Sequence, residues 1–289
     1  MSQKLPNIAD SCVLLVQSCD AYEDVWEMFF SALLEYWKDC KVDIILNTET
    51  KTVVFNGLNI NKNNYCKYKQ YSSWGERLLD VLGRIEKKYV ITLFDDFILE
   101  GKVNENKIVE CLRYMEENKT IGAFYFNNIP GNTKESYEDF IQLDKTADYK
   151  VNSCPAIWRK SVLQSVTGSM DSPWAWEFFG SVRAYGNEYE YYCAKLGAED
   201  TFIYQYQLGG AIRRGKWVKA VVSPAIKKYN LSLDPTIRGY ASNSLSEGKY
   251  SFKWKVDFVL LGVRMVGVKA FIPLFRAILL KIERLWKKK

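Results

Sequence analysis

The first 126 residues alternate between strand-length apolar runs and segments whose apolar positions have helical spacing. The runs lie at 12–19, 42–46, 89–99 and 121–126. Apolar residues recur every three or four positions from 25 to 37, which predicts an amphipathic helix. Similar spacing predicts helices over 74–86, capped by Ser72 or Ser73, and over 105–118, capped by Asn104. This alternation predicts an α/β protein with a mixed, mostly parallel sheet flanked by helices and joined by right-handed crossovers.

The run at 89–99, YVITLFDDFIL, predicts a strand buried on both faces and ends in two adjacent carboxylates, Asp95 and Asp96. Like charges at short range repel, and burial adds to their cost, so the pair indicates a ligand that needs negative charge. In open α/β sheets ligands sit at the carboxyl ends of strands, and a divalent cation carrying a phosphorylated ligand is the usual occupant. The alternative is a turn in which one aspartate caps the following segment.

The second half of the sequence is less regular. The pattern predicts an acidic, irregular loop over 127–149, a helix starting near Arg159, and strands over 190–193 and 202–207. Near the end, an apolar stretch at 256–268 is interrupted by Arg264, and Pro273 is expected to break or kink the next segment. Residues 274–286 have apolar positions on one face and mostly basic positions on the other, which predicts an amphipathic helix.

Composition narrows the chemistry. The 289 residues are 48% hydrophobic and 26% charged, which fits one catalytic domain with an appendage. The sequence contains no histidine, which excludes Ser-His-Asp and Cys-His catalysis, so a general base is expected to be a carboxylate. The seven cysteines include no CxxC pair, so neither a disulfide framework nor a thiolate zinc site is indicated. The start of the sequence has no pattern typical of a secretory signal, and a reducing cytoplasm is the expected setting.

Positive charge is concentrated in the last 39 residues. The net charge of +6 divides into +8 for residues 251–289 and −2 for residues 1–250. Nucleic-acid binders usually spread positive charge over a docking face, so no nucleic-acid partner is expected. No uncharged stretch reaches the roughly 20 residues that a membrane span requires. A basic amphipathic segment over 253–289 therefore predicts peripheral binding to an anionic membrane, with packing on the catalytic domain or on a dimer partner as the alternative.

Several polar and aromatic residues outside the acidic pair are candidates for a site. Glu177 lies in SPWAWEFF, where neighbouring indoles favour a raised carboxyl pKa and sugar recognition, although a solvated glutamate on an amphipathic helix is the alternative. Cations after Gly209 and Gly210 could bind a diphosphate or form a basic surface turn. The candidate donor-binding residues are Asp20, Tyr22, Glu49, Arg77, Asp95, Arg213, Arg214 and Lys216, and the candidate acceptor-binding residues are Trp174, Trp176 and Trp217.

From about residue 12 to residue 222 the chain resembles bacterial GT-A type glycosyltransferases of surface polysaccharide assembly. The resemblance lies in VLLVQSCDAYEDVW, DIILNTE, SSWGERLLDVL, ITLFDDF, CPAIWRK, SPWAWE and IRRGKW. It implies that Asp96 and Asp95 hold Mg²⁺ or Mn²⁺ and the nucleotide sugar, and that Glu177 is the catalytic base. The family's Asp-x-Asp motif is replaced by Asp95-Asp96 followed by Phe97, so the metal could be dispensable. The QxxRW motif of processive synthases is missing, which indicates the addition of one sugar.

These observations predict a GT-A-like catalytic domain over residues 1–250 and a membrane-associating tail over 251–289. Residues 1–126 would bind the nucleotide sugar, and residues 127–250 would bind the acceptor. The predicted enzyme is a cytoplasmic glycosyltransferase, peripheral on the inner face of the cell membrane, that transfers one sugar from a nucleoside diphosphate to a lipid-linked or saccharide acceptor. The alternatives are a sugar nucleotidyltransferase, whose Gly-rich loop after the first strand is missing, and a non-catalytic assembly factor.

Overall fold

The computed structural model describes residues 6–61, 73–130, 132–135, 137–234, 236–242 and 251–286. Its strands are β1 (Cys12–Gln17), β2 (Asp43–Asn47), β3 (Ile60–Asn61), β4 (Tyr89–Phe94), β5 (Ile121–Tyr125), β6 (Asn132–Glu135), β7 (Phe140–Leu143), β8 (Ala156–Arg159), β9 (Glu190–Ala194), β10 (Ile212–Arg213) and β11 (Lys216–Trp217). Its helices are α1 (Ile8–Ser11), α2 (Glu23–Tyr36), α3 (Trp74–Arg84), α4 (Glu105–Glu117), α5 (Lys160–Val166), α6 (Pro173–Ala175), α7 (Lys219–Tyr229), α8 (Phe252–Val266) and α9 (Phe271–Trp286).

A nine-stranded sheet forms the centre of the described structure, in the order β3-β2-β1-β4-β8-β5-β9-β7-β6. The pairs β2–β3, β1–β2, β1–β4 and β5–β9 are parallel. Strand β8 lies antiparallel between β4 and β5, and β7 is antiparallel to both of its neighbours. The predicted α/β class with a mixed sheet is therefore confirmed, and the described sheet has four parallel and four antiparallel pairs.

Both faces of the sheet are covered by helices, which explains why its central strands read as continuous apolar runs. In β1, Leu14 and Val16 join one buried cluster with residues of α2 and α4. Val13 and Leu15, on the opposite face, join a second cluster with residues of α3 and α5. Strand β1 is buried at every position. This rigid centre fixes the positions of the polar residues that follow β1, β2 and β4.

The helix caps predicted near the start of α3 and α4 are present. Ser73 accepts a hydrogen bond from the backbone amide of Glu76 at 3.1 Å, and Asn104 accepts one from that of Lys107 at 3.3 Å. Two other predictions were wrong. The segment predicted as an irregular loop over 127–149 contains the β6–β7 hairpin, and the strand predicted over 202–207 is replaced by an isolated bridge at Tyr204 and a 3-10 turn.

The tail consists of two helices that meet at Gly267, whose φ of +63° ends α8. The prediction that Pro273 breaks or kinks this segment was wrong. Pro273 lies in the first turn of α9, where the backbone amides have no acceptor within the helix. By length and composition alone, the helical stretch Phe252–Leu279 is apolar enough to cross a membrane: an 18-residue window within it has a mean hydropathy of 1.9, and 17% of that window is buried.

One face of α8 packs on the segment that follows α6. The ring of Phe258 lies 4.9 Å from the ring of Phe179 and 5.7 Å from that of Phe178. Gly262 allows this approach, because a Cβ atom there would lie 2.4 Å from the Phe179 ring. Arg183 also donates a hydrogen bond at 3.2 Å to the carbonyl of Met265. The first tail helix is thus seated on the domain, as the packing alternative expected.

Candidate functional site

A cavity of about 570 Å³ opens at the carboxyl ends of β1 and β4. Its walls come from the strand ends, from the start of α3, from the segment around α6 and from the turn before β10. The lining residues are Gln17, Ser18, Cys19, Tyr22, Glu49, Trp74, Arg77, Phe94, Asp95, Asp96, Phe97, Ser153, Pro173, Trp174, Glu177, Gly209, Ile212 and Arg214. The cavity therefore joins residues that lie far apart in sequence, and it contains both carboxylates of the acidic pair.

Asp95 is held in place by hydrogen bonds from Ser18 and Trp26. Its side chain is buried, and Oδ2 accepts hydrogen bonds from Ser18 Oγ at 2.5 Å and from Trp26 Nε1 at 3.2 Å. Trp26 Nε1 also lies 2.7 Å from Ser18 Oγ. Burial and the neighbouring carboxylate of Asp96 raise the pKa of Asp95 well above its usual range. These donors hold one carboxylate oxygen, so the orientation of the Asp95 side chain is fixed before a ligand binds.

Asp96 is held by the loop that precedes β10. Its carbonyl accepts a hydrogen bond from the amide of Ala211 at 2.7 Å. Gly210 passes so close that a Cβ atom there would lie 2.5 Å from Asp96 Oδ2. Burial raises the pKa of Asp96 to about 7. A second negative charge in this position is costly, so a bound cation would stabilise the ionised pair.

The donor set fits a divalent cation that takes most of its ligands from a substrate. Within the part of the chain that the structure describes, no cluster of three histidine, cysteine or acidic side chains could enclose a metal. Asp96 and the second oxygen of Asp95 supply carboxylate ligands at the cavity wall. Mg²⁺ is commonly bound by one or two carboxylates together with substrate phosphates, so this pair is sufficient only when a phosphorylated ligand is present.

Glu177 faces the same cavity from the turn after α6. Its Oε1 accepts a hydrogen bond from the amide of Ser153 at 2.8 Å and a second one from the Ser153 hydroxyl. Burial raises the pKa of this carboxyl, while both hydrogen bonds from Ser153 act in the opposite direction. Glu177 is thus a fixed, partly desolvated carboxylate in a cavity, which is the environment of a general base.

Arg214 reaches the cavity from the tip of the β10–β11 hairpin. Arg214 and Gly215 occupy the two-residue turn, and both have positive φ values, +51° and +76°. A left-handed conformation is unusual for arginine and costs about 1 kcal/mol or more. The turn nevertheless places a guanidinium in the wall of the cavity that contains the acidic pair, where it could pair with a phosphate group.

Part of the cavity wall is formed by Tyr22, Glu49 and Arg77. Arg77 Nη1 forms an ion pair with Glu49 Oε1 at 2.5 Å, and Arg77 Nη2 donates to the carbonyl of Ser18 at 3.3 Å. Asp20 does not line this cavity, because its carboxylate accepts hydrogen bonds from the amides of residues 49–51. Asp20 therefore holds the loop that carries Glu49.

Other predicted site residues also lie away from the cavity. Trp176 is buried, and its indole donates to the carbonyl of Val166 at 3.1 Å, so it belongs to the core. Trp217 is buried in the larger core cluster. Arg213 donates to the carbonyl of Leu208 at 2.6 Å, and Lys216 is exposed on β11. Of these three hairpin cations, Arg214 at the tip is the one that lines the cavity.

Sequence reasoning missed the residues that position the carboxylates. Ser18 and Trp26 hold Asp95, Ser153 holds Glu177, and Gly210 packs against Asp96. Ser18 follows the first strand in the same way that Asp95 follows β4, which is a signal for a shared strand-end site. The other three come from a helix face and from loops, and no local pattern in the sequence marks them.

Comparison with known proteins gives only distant likenesses. No protein-family model matches the sequence, and no curated protein matches it. Among solved structures, S. aureus TarS 1–349 aligns with 90% of this chain and 82% of its own length, at 11% identity and a TM-score of 0.43. The galactosyltransferase LgtC with donor and acceptor sugar analogues aligns with 52% of this chain and 59% of its own, at 11% identity and a TM-score of 0.32.

A third solved structure, the CMP:2-keto-3-deoxy-manno-octonic acid synthetase with CTP, aligns with 63% of this chain and 88% of its own, at 11% identity and a TM-score of 0.36. Two of these neighbours have titles that name an activity, the galactosyltransferase and the synthetase. With TM-scores below 0.5, they carry no weight for the chemistry of this chain. That chemistry rests on the cavity itself.

Proposed function

We propose that this chain transfers a single sugar from a nucleoside diphosphate sugar to the hydroxyl of an acceptor. The observation that carries the proposal is the convergence of Asp95, Asp96, Arg214 and Glu177 on one cavity of about 570 Å³. Carboxylates for a cation, a guanidinium for a phosphate and a fixed carboxylate base are the groups that such a transfer needs. They are brought together from three separate segments of the chain.

In the proposed reaction, Glu177 accepts the proton of the acceptor hydroxyl. The acceptor oxygen forms a bond to the anomeric carbon of the donor, and the bond from that carbon to the diphosphate oxygen breaks. The diphosphate leaves with the electron pair, and Arg214 stabilises its negative charge. Ser153 orients Glu177 through two hydrogen bonds, so the base is positioned before the acceptor arrives.

The nucleotide would lie against Tyr22, Glu49 and Arg77, with Asp20 supporting the loop behind them. Mg²⁺ or Mn²⁺ would be held by Asp96 and Asp95, and it would neutralise charge on the diphosphate. Arg213 and Lys216 would add positive potential around the hairpin without touching the donor. The exposed indole of Trp174, at the mouth of the cavity, would contact the acceptor sugar.

The tail, residues 251–289, would hold the catalytic domain, residues 1–250, at an anionic membrane on its cytoplasmic face. Large apolar side chains are exposed along both tail helices: Phe252, Val256, Leu260, Val268, Phe271, Ile272, Phe275, Ile278, Leu279 and Ile282. An exposed apolar surface of this extent is unusual in a protein surrounded only by water. With the tail's excess of basic residues, it supports interfacial binding and a role in cell-surface polysaccharide assembly.

The test is product analysis with a panel of UDP-, GDP- and dTDP-sugars, with and without Mn²⁺. Transfer or donor hydrolysis releases a nucleoside diphosphate, whereas nucleotidyl transfer consumes or releases pyrophosphate. We expect nucleoside diphosphate, and we expect Glu177→Gln to reduce transfer by about 10²-fold or more, within the usual range for a general base. Glu188→Gln, which changes an exposed glutamate, is the matched control. Full transfer by Glu177→Gln would refute the assignment of the base.

A further inference from the structure

A second cavity of about 440 Å³ lies beside the first one. The two cavities share Trp174 and Arg214 in their walls. Ser172 completes the side that belongs to the catalytic domain. The opposite side is formed by four residues of the tail helix α8: Trp254, Asp257, Phe258 and Leu261. The first tail helix therefore contributes directly to a space that adjoins the proposed reaction centre.

The four tail residues have the spacing of one helical face, at positions i, i+3, i+4 and i+7. This face is largely apolar: the Trp254 and Phe258 rings are stacked at 4.9 Å with an angle of 11° between their planes. Phe252, Val256 and Leu260 lie on a different face and are exposed. One face of α8 thus lines a cavity, and another presents apolar side chains outward.

We propose that the second cavity binds an amphiphilic acceptor, a saccharide that carries an apolar chain. The inference rests on the proposed glycosyl transfer, and it identifies the class of acceptor. The sugar would lie against the indole of Trp174, with its reacting hydroxyl directed toward the cavity that contains Glu177. The apolar chain would run along Trp254, Phe258 and Leu261.

The chemistry of the cavity fits both parts of such a molecule. A free saccharide would leave the apolar face of Phe258 and Leu261 without a matching surface, whereas a hydrocarbon chain would cover it. Asp257 is the acidic side chain in this cavity, and its carboxylate can accept hydrogen bonds from sugar hydroxyls. The opposite face of α8 is exposed and apolar, so this cavity and the proposed membrane surface share one helix.

The experiment is photolabelling of the full-length protein with an octyl glucoside that carries a diazirine at the end of its alkyl chain, below its micelle concentration. Peptide mass spectrometry locates the label. We expect saturable labelling of the lining residues Trp254, Phe258 and Leu261 that unlabelled octyl glucoside competes away. Trp254→Ala should weaken binding about tenfold, equivalent to about 1.4 kcal/mol. Leu260→Ala, on the outward face of the same helix, should leave the labelling unchanged.

Two further arms separate the possible outcomes. Asp257→Asn keeps the shape of the cavity and should weaken labelling by the glucoside, but not labelling by a diazirine alkanol that lacks the sugar. Equal labelling by both probes in the unchanged protein, or labelling confined to 252, 256 and 260, would overturn the inference. Nucleotide binding is measured separately by thermal shift: a protein that binds nucleotides but shows either of those label patterns loses only this inference, whereas one that binds no nucleotide loses the proposed function.

Discussion

Gly210 offers a sharp test of how the acidic pair is positioned. In Gly210→Ala the new Cβ atom would lie 2.5 Å from Asp96 Oδ2 and 2.9 Å from its Cγ, well inside ordinary contact distance. The neighbouring Gly209 is a matched control, because its φ of +75° resembles the +84° of Gly210 but a Cβ atom there has nothing within 4 Å. Both alanine variants bear the same left-handed strain, about 1–2 kcal/mol. Only Gly210→Ala must also displace a carboxylate.

The size of the catalytic effect can be worked from that displacement. To restore a normal contact, the Asp96 carboxylate must move by about 1 Å, and an error of that size in a positioned group can cost about 10²-fold in rate. We therefore expect kcat/KM for donor turnover to fall about 10²-fold in Gly210→Ala and at most severalfold in Gly209→Ala. The shared strain should lower the melting temperature of both by a few degrees.

The assay combines steady-state release of nucleoside diphosphate with thermal melting of both variants and of Gly186→Ala. Gly186 also has a left-handed φ, +73°, with open space around it, and it does not line the cavity. Equal loss of activity in Gly210→Ala and Gly209→Ala would show that strain alone is responsible. The proposed role of Gly210 in placing Asp96 would then be refuted.

Three further predictions concern pH and the membrane. Ser153→Ala removes a hydrogen bond that favours the ionised form of Glu177, so its pKa should rise further, and the acid limb of the kcat/KM profile should move to higher pH. The pKa of Asp96 is about 7 in the folded protein and near 4 in the unfolded chain, so its ionisation lowers stability as the pH rises between these values. The free energy of unfolding of Asp96→Asn, measured by thermal melting, should therefore exceed that of the unchanged protein by about 1–2 kcal/mol at pH 8 but not at pH 4. Phe275→Glu should reduce sedimentation with phosphatidylglycerol vesicles, whereas the equally exposed Val54→Glu on the catalytic domain should not; equal binding by both variants would contradict the proposed membrane surface.

The sheet could be predicted largely from the sequence because its strands are strongly apolar. The run ending at Asp95 became β4, and the runs around Leu14 and Ile44 became its neighbours β1 and β2. The antiparallel insertion of β8 between β4 and β5 could not be predicted, because pairing partners are set by tertiary packing. The β6–β7 hairpin was missed because β6 is polar throughout and β7 has only four residues, without the alternation typical of a half-buried strand.

The site was less predictable than the fold. Asp96, Glu177 and Arg214 are polar residues that follow apolar or aromatic segments, so local sequence singled them out, and the structure places all three in one cavity. Trp176 was a candidate acceptor contact, but the turn after α6 directs it into the core. Lys216 follows the same hairpin turn but is exposed outside the cavity. The left-handed backbone of Arg214 and Gly215 decides which side chain reaches the cavity, and no local sequence pattern announces it.

We propose that the cavity at the acidic pair binds a nucleoside diphosphate. The most direct measurement is a thermal-shift panel of UDP, GDP, dTDP and CMP on the full-length protein, each with and without Mn²⁺. A ligand at about 100 times its Kd stabilises the folded state by about 2.7 kcal/mol. We expect one nucleoside diphosphate to raise the melting temperature clearly, and we expect Asp96→Ala to abolish that shift. Asp39→Ala, which changes an exposed aspartate, should keep it. No shift with any nucleotide, or an unchanged shift in Asp96→Ala, would contradict the proposal.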